Sequence, residues 1–280
     1  MLHFSTLENI DIREITDTFN EAFSDYSIPL QLNYEQMQTK LRAEDYAPEY
    51  SVGAFYQNKL VCFILHCYRE EKGIKRVYNG GTGVIPSQRG QHITLGMYDY
   101  ILPQLKEARI NQVILEVLEN NVPAKKSYEK VGFKTTRRLR SYFGQIQEHS
   151  TTNDIQVESL NNIDWDLLES FWSIQPSWQN ASQSIRNILD KLLVYALYRK
   201  KELLGYTIYN PASKRIHQIA VSTKSRHQGI AKALINHIRQ HNNPNVNIIN
   251  VDEQDTSTLN FFEQQGWENK INLLEMKLDL

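Results

Sequence analysis

The chain has 280 residues, room for about two domains at roughly 150 residues each. Its 31 Lys and Arg offset 32 Asp and Glu, and the balance is local: the first 148 residues carry a net charge of 0 and the remainder −1. This excludes a surplus of cations for neutralising phosphates, so no nucleic-acid partner is expected. The 41% hydrophobic content argues against disorder, and no apolar run approaches the roughly 18 residues of a membrane span.

In chain order, residues 10–23 place Ile12, Ile15, Phe19, Ala22 and Phe23 on one helical face, and 34–42 reads as a second helix. Residues 52–57, 60–68 and 75–84 are rich in β-branched and aromatic side chains and are separated by short polar turns, the pattern of an antiparallel meander. Cys62 and Cys67 lie five apart on the middle strand and so point to opposite faces, as small apolar residues of a reducing compartment. No basic-then-apolar leader opens the sequence, and a cytoplasmic location is expected. After the break Pro86-Ser-Gln-Arg-Gly-Gln91 a helix runs to about residue 108. A strand (112–118), a short helix (123–130) closed by Gly132, and one or two strands over 133–146 complete the first half.

Residues 147–154 are polar and aperiodic, and read as a linker between domains at 1–146 and 155–280. Beyond them the pattern restarts: strand 155–160, helices 165–172 and 183–189, strands 193–199, 203–209 and 216–221, helix 229–240, strand 246–251, helix 256–264 closed by Gly266, and strand 273–278. The repeat can be checked by subtraction. Val221 follows Val84, and Arg226 follows Arg89, at an offset of 137; Ile249-Asn-Val251 follows Leu115-Glu-Val117, and Gly266-Trp267 follows Gly132-Phe133, at an offset of 134. The chain is therefore a duplicated α/β module, each copy a mixed, mainly antiparallel sheet flanked by helices.

The chemistry concentrates where Ile219-Ala-Val-Ser-Thr-Lys-Ser-Arg-His-Gln-Gly-Ile-Ala231 turns from strand to helix. Glycine at a helix mouth lets a ligand approach unpaired backbone N–H groups, the helix dipole favours an anion there, and Arg226 adds a positive charge. No Gly-x-x-x-x-Gly-Lys loop occurs in the sequence.

Arg226-His-Gln-Gly-Ile-Ala231 resembles the Arg-x-x-Gly-x-Ala acyl-CoA signature of the GNAT superfamily of N-acetyltransferases. Asn121-Val-Pro-Ala-Lys-Lys-Ser-Tyr-Glu-Lys-Val-Gly-Phe133 resembles that superfamily's Asn-x-x-Ala-x-x-x-Tyr-x-x-x-Gly-Phe segment. The resemblance implies two fused GNAT-type domains and acetyl-CoA as co-substrate, without a metal. It implies direct attack by a primary amine of a small molecule or peptide, with no covalent enzyme intermediate. A backbone amide of the fourth strand would polarise the thioester carbonyl and a tyrosine would protonate the departing thiolate. Tyr128 takes that catalytic place. Cofactor contacts are expected from Val84, Arg89, Gly90, Gln91, His92, Ile93, Thr94 and Asn121 in the first half, and from Val221, Arg226, His227, Gln228, Gly229, Ile230 and Ala231 in the second.

The halves depart from the pattern in opposite ways. The first keeps Asn121 and Tyr128 but has His92 and Thr94 where the signature wants glycine and glycine or alanine. The second has the intact loop but Asp255 and Phe262 in place of Asn121 and Tyr128. The catalytic centre is thus expected in the first half, with the second half or a shared centre as alternatives. Glu116 and Glu119, and Asp252 and Glu253, are strand-end carboxylates able to relay a proton or simply to be solvated. His237 and His241 have ligand spacing but lack a third ligand, Lys125 could meet the adenosine phosphate, and Trp165, Trp172 and Trp178 read as core or as an acceptor wall. A monomer or homodimer is expected. The competing classes are a non-catalytic acyl-CoA-binding or regulatory protein and a transferase using aminoacyl-tRNA; the near-neutral charge opposes the latter.

Overall fold

A computed structural model describes residues 2–26, 30–148 and 156–280. All but the first two residues of the 147–154 segment lie outside the described residues. Two compact units emerge, Met1–Arg137 with Leu274–Leu280, and Arg138–Leu273. The division thus falls inside a strand, and the last seven residues join the first unit.

In the first unit β1 (His3–Thr6), β2 (Val52–Tyr56), β3 (Lys59–Glu71) and β4 (Ile74–Val84) pair antiparallel in turn, and β5 (Gln112–Leu118) adds in parallel to β4. The next place is taken by the end of the last strand of the chain, β12 (Glu268–Asp279). Leu280 donates its N–H to the carbonyl of Asn111 at 3.0 Å, and Gln112 holds Asp279 at 2.9 Å. Helices α1 (Ile12–Ala22) and α2 (Tyr34–Glu44) cover one face; Asp11 caps the first, and a reciprocal Asn33–Gln36 pair caps the second. Ile15, Phe19, Met37 and Leu41 pack there on Phe63 and Leu65. Helices α3 (Ile93–Glu107) and α4 (Val122–Val131) cover the other face, where Met97, Ile101, Leu105 and Tyr128 meet Cys62, Ile64, Val113 and Val117. Side chains alternate along β3, so Cys62 and Cys67 lie on opposite faces, both buried and free, as the spacing requires.

The second unit repeats the plan. Its sheet runs β6 (Lys134–Gln145), β11 (Asn245–Asp252), β10 (Arg215–Val221), β9 (Glu202–Asn210), β8 (Leu193–Arg199) and β7 (Gln156–Ser159). Residues 133–146 thus give one long strand, and its pairing with β11 carries most of it into the second unit. Each unit is closed by a strand that the sequence places after the other module's helices. Helices α5 (Trp165–Glu169) and α6 (Ser182–Asn187) lie over Val194, Tyr206 and Ile208. On the opposite face α7 (Ile230–His241) and α8 (Thr256–Gln264) bury Ile235, Ile238 and Phe262. Among the described residues no helix is long and apolar enough to cross a membrane.

Candidate active site

The parallel pair β4–β5 holds from Arg76–Gln112 to Asn79–Leu115, and then β4 runs on alone to Val84. At the parting point β4 carries a bulge: Asn79 faces His66 and Gly81 faces Leu65, leaving Gly80 unmatched. Beyond it the N–H of Ile85 bonds to Val61 on β3. By the two-residue alternation of a strand, the N–H groups of Val84 and Thr82 face the side that β5 has left. The second unit repeats this. β10 and β11 pair at Arg215–Asn247, the bulge falls at His217, and Ser222 bonds back to Leu204, so Val221 and Ile219 face the gap.

Three glycines line the first gap, and two of them serve packing. A Cβ at Gly80 would strike Glu44, and one at Gly83 would strike the Phe63 ring; only Gly81 has open space, with Leu65 3.9 Å away. Lys40 uses the bulge, donating to the Gly80 carbonyl at 2.8 Å while pairing with Glu44 at 2.6 Å.

The loops after β4 and β10 have the same backbone. Arg89 and Arg226 are extended, then Gly90 (φ 78°) and His227 (φ 61°) are left-handed, and two residues on His92 (φ 56°) and Gly229 (φ 81°) are left-handed again, opening α3 and α7. Each loop therefore spends one glycine and one histidine on the two left-handed sites, in opposite order. Histidine is among the few side chains that visit this region. His92, a departure from the signature in sequence, leaves the loop conformation intact. Neither helix start carries a side-chain cap, whereas Asp11, Asn33, Asn121, Asp164 and Asp255 cap other helices. The first N–H groups of α3 and α7 have no partner within their own helix, and positive φ brings Gly90, His92, His227 and Gly229 into the concavity that suits an anion.

The signature arginines have other work. Arg89 donates to the Val84 carbonyl (3.2 Å), to the Ala22 carbonyl at the end of α1 (2.8 Å) and to Asp25 (2.7 Å). Arg226 donates to the Val221 carbonyl (3.3 Å) and the Phe171 carbonyl (3.1 Å). The expected phosphate charge is in each unit a clasp between the strand end and the preceding helical segment. Arg226→Ala leaves two carbonyls unpaired and is expected to cost about 1–3 kcal/mol in urea denaturation without any ligand. A loss below about 0.5 kcal/mol would return the residue to phosphate binding alone.

Tyr128 lies on α4 behind the parting strands, 7% exposed, with its ring edge-on to Tyr98 (centroids 6.2 Å) and to Phe133 (5.8 Å). Burial raises the pKa of its hydroxyl, opposed chiefly by the nearby Thr82, so the phenol keeps its proton. Asn121 caps α4, its Oδ1 taking the Ala124 N–H at 3.2 Å while its Nδ2 reaches the Tyr26 hydroxyl at 3.4 Å. Asp255 caps α8 through Thr258, also at 3.2 Å, so the capping half of the asparagine's role survives in both units.

In the second unit Phe262 is fully buried and stacked on Trp267 at 4.9 Å. The gap between β10 and β11 is bridged by a side chain. Asn180, 5% exposed, donates to the Ile249 carbonyl on β11 (2.7 Å), accepts from Arg215 on β10 (2.7 Å), and takes the Gln218 amide on its backbone carbonyl (2.7 Å). Tyr206 extends the set to Gln218 (3.0 Å) and Trp172 (2.7 Å).

Glu116 is the first β5 residue past the last β4 pair. It is not a solvated strand end: its Oε1 is buried and its Oε2 accepts from the Tyr78 hydroxyl at 3.2 Å. Burial first, and then the charge of Glu275, raise its pKa to about 8, against the opposing effects of Arg137 and Tyr78. Elsewhere, Lys125 is spent on the Glu119 carbonyl (2.8 Å), Trp165 lies under Arg186 (4.8 Å), and among the described residues no group of three His, Cys, Asp or Glu forms a metal site.

A sheet parted between two parallel strands, with an uncapped helix opening from the loop beyond, is the arrangement that the resemblance implies, and here it occurs twice. Family models agree. One described as acetyltransferase (GNAT) family matches residues 11–133, and one described as acetyltransferase (GNAT) domain matches 156–277. The chain belongs to the GNAT superfamily, as a tandem-domain member. Among solved structures it is similar to a tandem GNAT protein from the clavulanic acid biosynthesis pathway (TM-score 0.75, 11% identity, covering 100% of this chain and 98% of that one). It is also similar to a GCN5-related N-acetyltransferase from Sphaerobacter thermophilus (TM-score 0.73, 14% identity, 99% and 95% covered). At these identities the likeness shows the fold alone. No curated protein sequence matches.

Proposed function

We propose that the protein transfers an acetyl group from acetyl-CoA to a primary amine, of a small molecule or a peptide, and that the first half carries the reaction. The observation that supports this most is the contrast behind the two gaps: a buried, proton-bearing Tyr128 in one, and Phe262 with the Asn180 bridge in the other. The uncapped start of α3 suits the diphosphate, with Arg89 holding the loop's base. Gly81 and the free side of Thr82–Val84 suit the pantetheine arm and thioester, and a Thr82 or Val84 N–H polarises the carbonyl. The acetyl donor supplies an activated thioester. Glu116, deprotonated above its raised pKa, takes the ammonium proton so that a neutral amine attacks directly, and Tyr128 gives its proton to the departing sulfur.

The second half is read as a binding or supporting sibling, with its α7 mouth intact and its reaction gap bridged. Free-thiol release from acetyl-CoA across a panel of mono-, di- and polyamines, amino sugars and peptide N-termini tests the activity. Binding without CoA release across the whole panel would favour a non-catalytic acyl-CoA-binding protein. Isothermal titration is expected to count two acetyl-CoA equivalents, and one for Gly229→Glu, which crowds the α7 mouth. A stoichiometry of one, unmoved by that substitution, would leave the second loop purely structural.

A further inference from the structure

We propose that Asn79, Thr82 and Tyr98 form a positioning network that aims the Tyr128 hydroxyl at the departing sulfur, a role that rests on Tyr128 being the proton donor. Asn79 is 5% exposed and Tyr98 is fully buried. Buried polar groups are costly unless every one is paired. Here Asn79 spends its whole amide: its Nδ2 donates to the Thr82 hydroxyl (2.8 Å) and the Tyr98 hydroxyl (2.9 Å), and its Oδ1 accepts the Gly81 N–H (3.0 Å). The network thus ties the β4 bulge to α3, and the Tyr98 ring meets the Tyr128 ring of α4 edge-on (centroids 6.2 Å).

The second module supplies an internal control. The offset of 137 puts Ile216, Ile219 and Ile235 in the places of Asn79, Thr82 and Tyr98, and the offset of 134 puts Phe262 in the place of Tyr128. All four belong to one apolar cluster or pack against it. Trp267, in the place of Phe133, stacks on the Phe262 ring within that cluster (centroids 4.9 Å). The same fold is therefore built without any of the four polar groups, and they are absent together where the phenol is absent. Folding does not require them; a hydroxyl with work to do does.

The direction of the bonds fits that work. Thr82 accepts from Asn79, so its own hydrogen is available to the Tyr128 oxygen, and the phenolic hydrogen stays unspent. As the C–S bond breaks, its electron pair goes to sulfur and the Tyr128 proton follows, giving the CoA thiol. The proton lost by the acetylated nitrogen returns through solvent to the phenolate, leaving amide and thiol as products.

The test uses the full chain, acetyl-CoA and the amine of the panel that releases CoA fastest. Thr82→Val, which keeps the shape, is expected to lower kcat about tenfold with acetyl-CoA KM within about twofold, and Thr82→Ser to stay within about twofold of the parent. Tyr98→Phe is expected to follow Thr82→Val in direction. In a Tyr128→Phe background Thr82→Val is expected to change kcat by less than about twofold, because the group it positions is gone. Parental kcat in Thr82→Val, or the same loss in both backgrounds, would overturn the network. Parental turnover in Tyr128→Phe, or no turnover of any panel amine, would instead overturn the reading on which it rests.

Discussion

Tyr128→Phe is expected to lower turnover by between roughly 10² and 10⁴, the usual contribution of a positioned general acid, while acetyl-CoA affinity stays near the parental value. The substitution removes one oxygen and keeps the ring that packs edge-on against Tyr98 and Phe133. The fold tolerates this ring, since Phe262 fills the matching place in the second module, fully buried. A thiol leaves better with a proton from a nearby donor, and a buried tyrosine whose pKa lies above its ordinary value is neutral and able to give one. Thiol-release kinetics and equilibrium binding separate the two effects. Equal loss of affinity and turnover would mark Tyr128 as a wall of the binding cleft, and unchanged turnover would move the chemistry to the second half.

Glu116→Gln carries the second large effect, a loss of turnover of about 10²-fold near pH 8 and above. With its pKa raised to about 8, chiefly by burial, the carboxyl is protonated at lower pH, so parental activity should climb as pH rises through that value. The Gln variant should lack that limb. Linkage gives a second readout with a definite sign. A carboxyl whose folded pKa is raised binds its proton more tightly in the native state. Its contribution to stability is therefore full below the unfolded value and is lost as pH rises towards about 8. The parent should accordingly lose more denaturation midpoint than Glu116→Gln between pH 5 and 8. Matching pH–stability curves for the two proteins would place the proton elsewhere.

Much of the fold is legible in the residues because it depends on local pattern. Helix faces, the meander, the duplicated strand–loop–helix order and the Gly-aromatic closures repeat at fixed offsets, and the helices and most longer strands fall within a few residues of their expected ends; the last strand begins earlier, at Glu268 and not at 273. The loop is legible only in half. A signature written in residue types scores His92 as a fault, yet the backbone needs a left-handed residue there, and histidine provides one. The signature arginine suggests a phosphate charge because its carbonyl partners, Val221 and Phe171, lie 5 and 55 residues away, and only the folded chain brings them together.

The features hidden from the sequence are long-range. The edge strand at His3–Thr6 is four residues without alternation, and β2 alone defines it. Nothing in the amphipathic pattern of β6 or β12 says which sheet it will join. The glycines of β4 suggest room for a cofactor, but Glu44 and Phe63 fill the space at two of them. Asn180 ends a single 3-10 turn, Trp178–Asn180, with no motif around it, and its meaning comes from the two strands it joins. Asn79 is hidden for a different reason. Alone on a strand it says little, but laid over Ile216 at the repeat offset it differs in the same sense as Thr82 over Ile219, Tyr98 over Ile235 and Tyr128 over Phe262. Its signal therefore lies in the polar-to-apolar differences between the two halves, and a motif confined to one half does not carry it.

The most direct measurement is a crystal structure of the full chain with acetyl-CoA. The thioester is expected between β4 and β5, its carbonyl on the Thr82 or Val84 N–H and its sulfur beside the Tyr128 hydroxyl. An acetyl group lying next to Phe262 with Asn180 displaced, and the gap between β4 and β5 empty, would contradict a catalytic first half.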